Sequence, residues 1–146
     1  MTDPYDLQRF VDAQNPIYER IRGELRRGQK TSHWMWFIFP QLKGLGHSDM
    51  AMRFGISSKQ EAEQYLSHPI LGRRLIECAQ LVSEIEGRTI EQIFAYPDNL
   101  KFHSSMTLFV NTTIPDPVIQ AVLDKYFGGK GDQLTLEKLS STAGRT

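Results

Sequence analysis

The sequence predicts an all-α fold, a compact single-domain bundle of about eight short helices that spans residues 1–146. Helix-capping residues open a series of segments, and in each segment the apolar residues then recur every three or four positions. Glycines and prolines separate these segments, and no part of the chain offers a convincing strand pair. The five clearest caps are Asp3, Asn15, Ser58, Asp98 and Asp116.

Two helices are predicted within the first 28 residues. Asp3-Pro4 is typical of an N-cap followed by proline at the first helical position, and Asn15-Pro16 repeats the signal. Gly28 should end the second helix. Because proline cannot continue a helix, we expect the two helices to meet at a corner.

The segment Lys30–Gly46, KTSHWMWFIFPQLKGLG, holds both tryptophans of the chain. Its aromatic and β-branched content suits a strand as well as a helix. We predict one or two helical turns, with Ser32 as the cap and Pro40 as the end, because the chain provides no partner for a strand.

The middle of the chain contains three further helix starts. Ser48 can cap a short helix, Ser58 opens an S-x-x-E capping box, and His68-Pro69 begins the longest helix, which Gly87 should end. Gly72 near the start of that helix costs about 1 kcal/mol against alanine, which indicates that a neighbouring helix approaches its backbone closely.

The last third of the chain repeats these signals. Thr89 opens a second capping box, Asp98 should cap a helix that runs to about Val110, and Asp116-Pro117 starts a helix closed by Gly128. A final helical segment, 132–139, precedes a polar tail whose residues 141–146 we expect to fray. The predicted core includes Phe10, Ile21, Leu71, Leu75, Val82, Met106, Phe109 and Val122.

Composition limits the classes of partner. The 17 basic residues balance 17 acidic residues, so no global field attracts nucleic acid or an anionic membrane. Cys78 is the single cysteine, which excludes an internal disulfide and indicates a reducing environment. The N-terminal residues form no secretory signal, and no apolar run approaches the roughly 20 residues of a membrane span. We therefore expect a cytoplasmic protein without a membrane or nucleic-acid partner.

Known catalytic and cofactor motifs are missing from the sequence. It has no phosphate-binding loop, dinucleotide fingerprint, nucleophile elbow or zinc-protease motif. The four histidines lack the spacing of a ligand set, and one cysteine gives no metal pattern. The sequence therefore predicts neither a cofactor nor a metal site.

The first candidate site is the segment 32–43. It combines an imidazole, two indole rings, an amide and an ammonium group, from His33, Trp34, Trp36, Gln41 and Lys43. This set could form a stacking floor for a planar ring, with polar groups that orient it. The alternative is a core segment whose tryptophan N–H groups find partners inside the protein.

The second candidate site is the segment 98–107, which carries Asp98, Lys101, His103, Ser104 and Ser105. Serines are mediocre helix formers, so a pair of them beside lysine and histidine in a helix is unusual for a solvated face. Lys101 and the hydroxyls could hold a phosphate or carboxylate. Close packing of another helix against small side chains also explains them, and it is the interpretation that we favour.

Four blocks of the sequence resemble a bacterial family of unknown function numbered 1810, often labelled calpastatin. They read SHWMWFIFPQLKGLG, EAEQYLSHPILGRRL, KFHSSMTLF and VLDKYFGGKGDQLTLEKL. The resemblance implies a small, mostly helical cytoplasmic protein and brings no established reaction. The calpastatin label does not suit the chain, because such calpain inhibitors are long, repetitive and disordered.

A fainter likeness connects the chain with helical N-glycosidases that act on riboflavin precursors and ADP-ribose conjugates. These enzymes need a carboxylate beside the glycosidic carbon. The nearest carboxylates by motif are Glu61, Glu63 and Asp98, whereas the aromatic block holds none.

Three functional hypotheses follow. In the first, segments 32–43 and 98–107 converge on a pocket for a nucleotide-like or other planar anion. His33 and Lys101 would then reach one anionic group, and Asp98, His103 or Glu61 would handle protons. The second is a non-catalytic module that binds a protein partner, or a second copy of itself, through exposed aromatic residues. In the third, the protein is an N-glycosidase-like enzyme that acts on ADP-ribose or flavin-precursor conjugates.

Overall fold

The structure is a computed structural model that describes residues 3–143. This part of the chain forms ten helices and no sheet, and its one extended pairing is an isolated parallel bridge between Leu42 and Ile56. The predicted all-α class is confirmed. The helices are α1 (Gln8–Gln14), α2 (Tyr18–Arg27), α3 (Met35–Ile38), α4 (Asp49–Arg53), α5 (Lys59–Ser67), α6 (Leu71–Ser83), α7 (Ile90–Ile93), α8 (Asp98–Val110), α9 (Pro117–Phe127) and α10 (Gln133–Ala143).

Helix α8 is the centre of the bundle. It packs against α3, α5, α7, α9 and α10, while α6 packs against α2, α3, α5 and α9. Six consecutive α8 residues, 104–109, are buried, so the helix is enclosed on nearly every side. All eight core residues named from the sequence are buried, which confirms the predicted apolar faces.

The aromatic segment forms the single-turn helix α3, as predicted in preference to a strand. Phe39, just after this turn, meets Phe102 of α8 edge-on, with ring centroids 4.9 Å apart. The Gln14 side chain holds the end of the turn, because its Nε2 donates to the Phe37 carbonyl at 2.6 Å. The segment is therefore fixed on one side by ring contacts and on the other by a buried amide.

Helix starts that depend on local sequence occur where predicted. The hydroxyls of Ser48 and Ser58 accept hydrogen bonds from the backbone N–H groups three residues later, and Thr89 forms a complete capping box. The Asp116 carboxylate accepts from the Val118 N–H at 2.9 Å, with Pro117 in the first turn.

The caps predicted at Asp3 and Asn15 are wrong in position. Helix α1 begins at Gln8, and the Asp3 carboxylate reaches forward to accept from the N–H groups of Leu7 and Gln8 at 2.8 and 3.0 Å. These bonds lower the pKa of Asp3. Asn15 ends α1 instead of starting α2, which begins at Tyr18.

The caps predicted at Ser32 and Asp98 are also wrong, because distant partners recruit both side chains. The residue before α3 is Trp34, and the Ser32 hydroxyl donates to Glu24 instead. Asp98 is the first residue of α8, where its carboxylate pairs with Lys30.

Two of the three helices predicted to end at a glycine do so. Gly28 and Gly128 adopt left-handed φ angles of 79° and 62° after α2 and α9, as predicted. Helix α6, by contrast, ends at Ser83, four residues before Gly87. Helix α10 continues through Ala143, beyond the predicted end at Leu139, and residues 144–146 of the predicted frayed tail lie outside the described residues.

Gly72 lies where α5 meets α6, as its unfavourable helix propensity predicted. A Cβ atom added there would stand 2.0 Å from the Leu66 carbonyl oxygen. The two helices therefore touch through backbone atoms, which only glycine permits. Within residues 3–143, no helix has both the length and the apolar character needed to cross a membrane.

Candidate functional site

Asp98 lies between two lysines, each of which stands over a tryptophan. Its Oδ2 is 2.7 Å from Lys30 Nζ, and its Oδ1 is 3.7 Å from Lys101 Nζ. The Lys30 ammonium is 5.3 Å from the Trp34 ring centroid, and the Lys101 ammonium is 5.0 Å from that of Trp36. Both distances suit cation–π contact. We call these five residues the Asp98 cluster.

The two lysines of the Asp98 cluster differ in access to solvent. The Lys30 side chain is 8% exposed and forms the short ion pair, whereas the Lys101 side chain is 24% exposed and forms the longer one. Lys30 was not among the candidate site residues predicted from the sequence, since the basic run that it ends is typical of a solvated helix face. Its ammonium joins the connection after α2 to the start of α8.

The two tryptophans also differ. Trp34 is fully buried, and its Nε1 donates to Glu24 at 2.9 Å. Trp36 is half-buried, and its Nε1 is enclosed without a hydrogen-bond partner among the described residues. Trp34 is thus a core residue, as the alternative interpretation of the aromatic segment anticipated, while Trp36 faces the more accessible lysine.

Glu24 organises this region, although the sequence analysis missed it. Its buried carboxylate accepts from the N–H groups of Thr31 and Ser32, from the Ser32 hydroxyl and from the Trp34 indole. Burial alone would raise the pKa of Glu24, but these four donors outweigh it and hold the pKa at about 2. The available signal was its position three residues after Ile21 on the inner face of α2.

The polar face of α8 is covered by the chain that leads into α10. The Asp132 carboxylate accepts from the Ser104 hydroxyl at 3.2 Å, and the Thr107 hydroxyl accepts from the Asp132 N–H at 2.8 Å. The His103 ring stacks on Phe127 and lies 2.7 Å from the Lys130 carbonyl oxygen. His103 and Ser104 therefore have partners inside the protein, as the packing interpretation anticipated.

The remaining residues of the two segments differ in burial. Ser105 is fully buried, and its hydroxyl has no partner in the described residues. His33 is exposed, and Gln41 is half-buried. Lys43 lines a different cleft, of about 520 Å³, and neither Trp36 nor Lys101 borders that cleft.

Glu61 lines the same cleft as Lys43, at the start of α5. One carboxylate oxygen accepts from the Ser57 N–H and hydroxyl, and the other is 3.0 Å from an Arg9 nitrogen. The Glu61 side chain accepts from the backbone N–H of Ser57 and not from that of Ser58. The predicted S-x-x-E capping box is therefore only half formed. We call this space the Lys43 cleft.

The described residues contain no group of three or more His, Cys, Asp or Glu side chains that could hold a metal ion. The chemistry available at the Asp98 cluster is that of one accessible ammonium, one carboxylate and an indole face. Such a set can bind an anionic group next to a planar ring.

A comparison with known proteins confirms the family resemblance seen in the sequence. Residues 4–139 match the family described as "Protein of unknown function (DUF1810)". The chain belongs to this family. The match covers every residue of the Asp98 cluster and of the Lys43 cleft. No curated protein matches the chain.

The DUF1810 chain is also similar to a solved structure, the conserved hypothetical protein Rv1873 from Mycobacterium tuberculosis. The two sequences are 54% identical, and the alignment covers 94% of this chain and 99% of the other with a TM-score of 0.93. The fold described here is therefore shared with a relative whose crystal structure is known.

Proposed function

We propose that the chain binds a small molecule with a planar ring and an anionic group, at the Trp36 and Lys101 side of the Asp98 cluster. The observation that carries the proposal is the 5.0 Å contact between the Lys101 ammonium and the Trp36 ring. It joins one residue from each of the two segments that the sequence singled out.

The charge of the Asp98 cluster supports an anionic ligand. Asp98 carries one negative charge between two positive ones, so the cluster has a net charge of +1. Lys30 is committed to the short ion pair, whereas the ammonium of Lys101 has a 3.7 Å ion pair with Asp98 and partial access to solvent. Since an ammonium has three donors, Lys101 can bind a further acceptor.

The partial exposure of Trp36 supports a ring-binding role. Trp34 is fully buried and is held by its bond to Glu24, whereas Trp36 is half-buried. Part of the Trp36 ring is therefore available to a flat ligand. We also assign to the site His33, which is exposed three residues before Trp36, and Gln41, which is half-buried five residues after it.

A thermal-shift screen against nucleotides, ADP-ribose derivatives and flavin precursors tests the proposal. A ligand at a hundred times its Kd should add about 2.7 kcal/mol to the free energy of unfolding. Lys101→Ala should remove this gain, while Arg20→Ala on the exposed surface of α2 should keep it. A ligand whose effect survives both Lys101→Ala and Trp36→Leu would place binding elsewhere.

N-glycosidase activity is a second candidate function, because the Asp98 carboxylate borders the proposed site. The ligands found in the screen should then release a free base or a free ribosyl product on incubation. Asp98→Asn should stop this release and leave ligand binding measurable. Unchanged ligands after prolonged incubation would argue for binding alone.

A further inference from the structure

The Lys43 cleft adjoins a second cleft on the same side of the protein. The two have volumes of about 520 and 640 Å³, and both are lined by Asp6, Arg9 and Arg53. Volumes of this size are typical of sites for small molecules. A ligand can bind here only through side chains that still have a free hydrogen-bonding or charged group.

Arg9 stands between the clefts but has no donor left for a ligand. Its five N–H groups donate to the carbonyl oxygens of Tyr5, Asp6, Arg53 and Gly55 and to the Glu61 carboxylate. Arg9 is therefore a structural residue, and its charge neutralises that of Glu61.

Lys43 and Arg53 are the cations that remain available. Lys43 is exposed, and no described residue pairs with its ammonium. The Arg53 guanidinium lies 5.1 Å from the Phe54 ring centroid and has no carboxylate partner in the described residues. Within the Lys43 cleft these two cations face one carboxylate without a cationic partner among the described residues, that of Asp6, and the neighbouring cleft adds a second, that of Asp12.

The backbone holds the two cation-bearing segments in a fixed relation. The Lys43 N–H donates to the Ile56 carbonyl at 2.8 Å, and the Ile56 N–H donates to the Gln41 carbonyl at 2.9 Å. A Cβ atom on Gly55 would stand 2.9 Å from the Lys43 Cα. Because these bonds fix the backbone of the two segments, binding has to order only the Lys43 and Arg53 side chains.

The neighbouring cleft offers an apolar surface. Phe37, Met50 and Phe54 line it, and the two phenyl rings are in edge contact with centroids 5.4 Å apart. Arg53 borders both clefts, so a ligand bound by Arg53 can place its anionic group towards Lys43 and its apolar body towards Phe54.

We propose that the joined clefts form a second site, for an organic anion that carries one phosphate or carboxylate on an aromatic body. Lys43 and Arg53 hold the anionic group, and the surface of Phe37, Met50 and Phe54 holds the ring. This site is independent of the Asp98 cluster and of the function proposed there.

Titrations of the isotope-labelled protein with phenyl phosphate, benzoate and phenol test the proposal by NMR. Phenyl phosphate or benzoate should shift the backbone amides of Gly55 and Ser57 saturably, and the stronger of the two identifies the anionic group. Phenol should bind at least about tenfold more weakly, because it lacks the charge-assisted bonds. The Trp36 indole N–H signal reports on the Asp98 cluster in the same spectra.

The double variant Lys43→Gln, Arg53→Gln should weaken binding at least about tenfold, while Arg20→Gln, Arg26→Gln, which removes two charges from exposed positions of α2, should not change it. If the double variant does not fold, each single variant should still weaken binding. An unchanged Kd in the Lys43 and Arg53 variants would overturn the proposal. So would shifts confined to the Trp36 indole, or no shift up to about 10 mM ligand.

Discussion

The Glu24 carboxylate accepts a hydrogen bond from the Trp34 indole at 2.9 Å, and both side chains are fully enclosed. The bond fixes the aromatic segment to α2, because the same carboxylate also binds the N–H groups of Thr31 and Ser32. Four hydrogen-bond donors strongly stabilise this buried carboxylate. A substitution that removes the carboxylate leaves all four donors without an acceptor.

Glu24→Gln should lower the free energy of unfolding by roughly 3 kcal/mol at neutral pH. The amide keeps the shape of the carboxylate, but its NH₂ group meets donors where an acceptor is needed. Urea unfolding measures the change. Glu19→Gln, an exposed change on the same helix, is the control and should have little effect.

The same carboxylate should make stability depend on pH. The pKa of Glu24 is about 2 in the folded protein against an ordinary value of 4.5. Its contribution is therefore fully present above about pH 4.5 and is lost as the pH falls towards 2. Between these values the wild type should lose more stability than Glu24→Gln. Parallel pH profiles for the two proteins would contradict this origin.

Gly72→Ala should destabilise the protein by about 2 kcal/mol or more, because the added methyl group meets the Leu66 carbonyl at 2.0 Å. Gly23→Ala is a matched control inside α2, where the nearest atom is the end of the Arg27 side chain at 3.4 Å. That change should stabilise by up to about 1 kcal/mol through helix propensity. Equal effects of the two changes on the thermal midpoint would disprove the close backbone contact.

Leu75→Ala should cost about 2–5 kcal/mol, because Leu75 is 1% exposed in the middle of α6. Leu100→Ala removes the same atoms from a side chain that is 51% exposed on α8. Its cost in urea unfolding should stay below about 0.5 kcal/mol. A loss of under about 1 kcal/mol for Leu75→Ala would mean that the site collapses around the lost atoms.

The two lysines of the Asp98 cluster should respond differently to the same change. Lys30→Ala leaves Asp98 with only its longer contact and should cost about 3 kcal/mol. Lys101→Ala should cost less than about 1 kcal/mol, because its ion pair is longer and partly hydrated. Comparable losses would show that Lys101 is also structural and would weaken its assignment to ligand binding.

Cys78 should resist thiol reagents in the folded protein. It is fully buried, and burial raises the pKa of its thiol to about 12, so almost no thiolate exists at neutral pH. Its labelling rate should therefore follow unfolding and rise strongly in urea. Rapid labelling of the native protein would indicate local opening of α6.

Local signals were predictable from the sequence, and long-range pairings were not. Ser58 and Asp116 cap their helices because their acceptors lie within three residues of the donors. Asp98 carries the same local signal, but Lys30 recruits its carboxylate from the opposite half of the chain. The all-α class and the apolar faces of the helices depend on short-range periodicity, which explains why both predictions were correct.

At the candidate site too, the residue types were predictable and the long-range contacts were not. The sequence singled out Trp36, Lys101 and Asp98 by residue type, and these three lie together. It also grouped Lys43 with Trp36, although Lys43 lines another cleft. Glu24 and Arg9 were missed because a charged residue on an amphipathic helix is usually solvated, and only the fold reveals the partners that bury it.

The polar face that α8 presents to α10 has a consequence for how the protein comes apart. If α10 separates, the surface uncovered includes Ser104 and Thr107, which water can solvate readily, and the partly buried Leu139 leaves the core. Detaching α9 would instead uncover Ile119, Val122 and Leu123. The C-terminal helix should thus be an independent opening unit, whose amides exchange with solvent long before those of the remaining bundle.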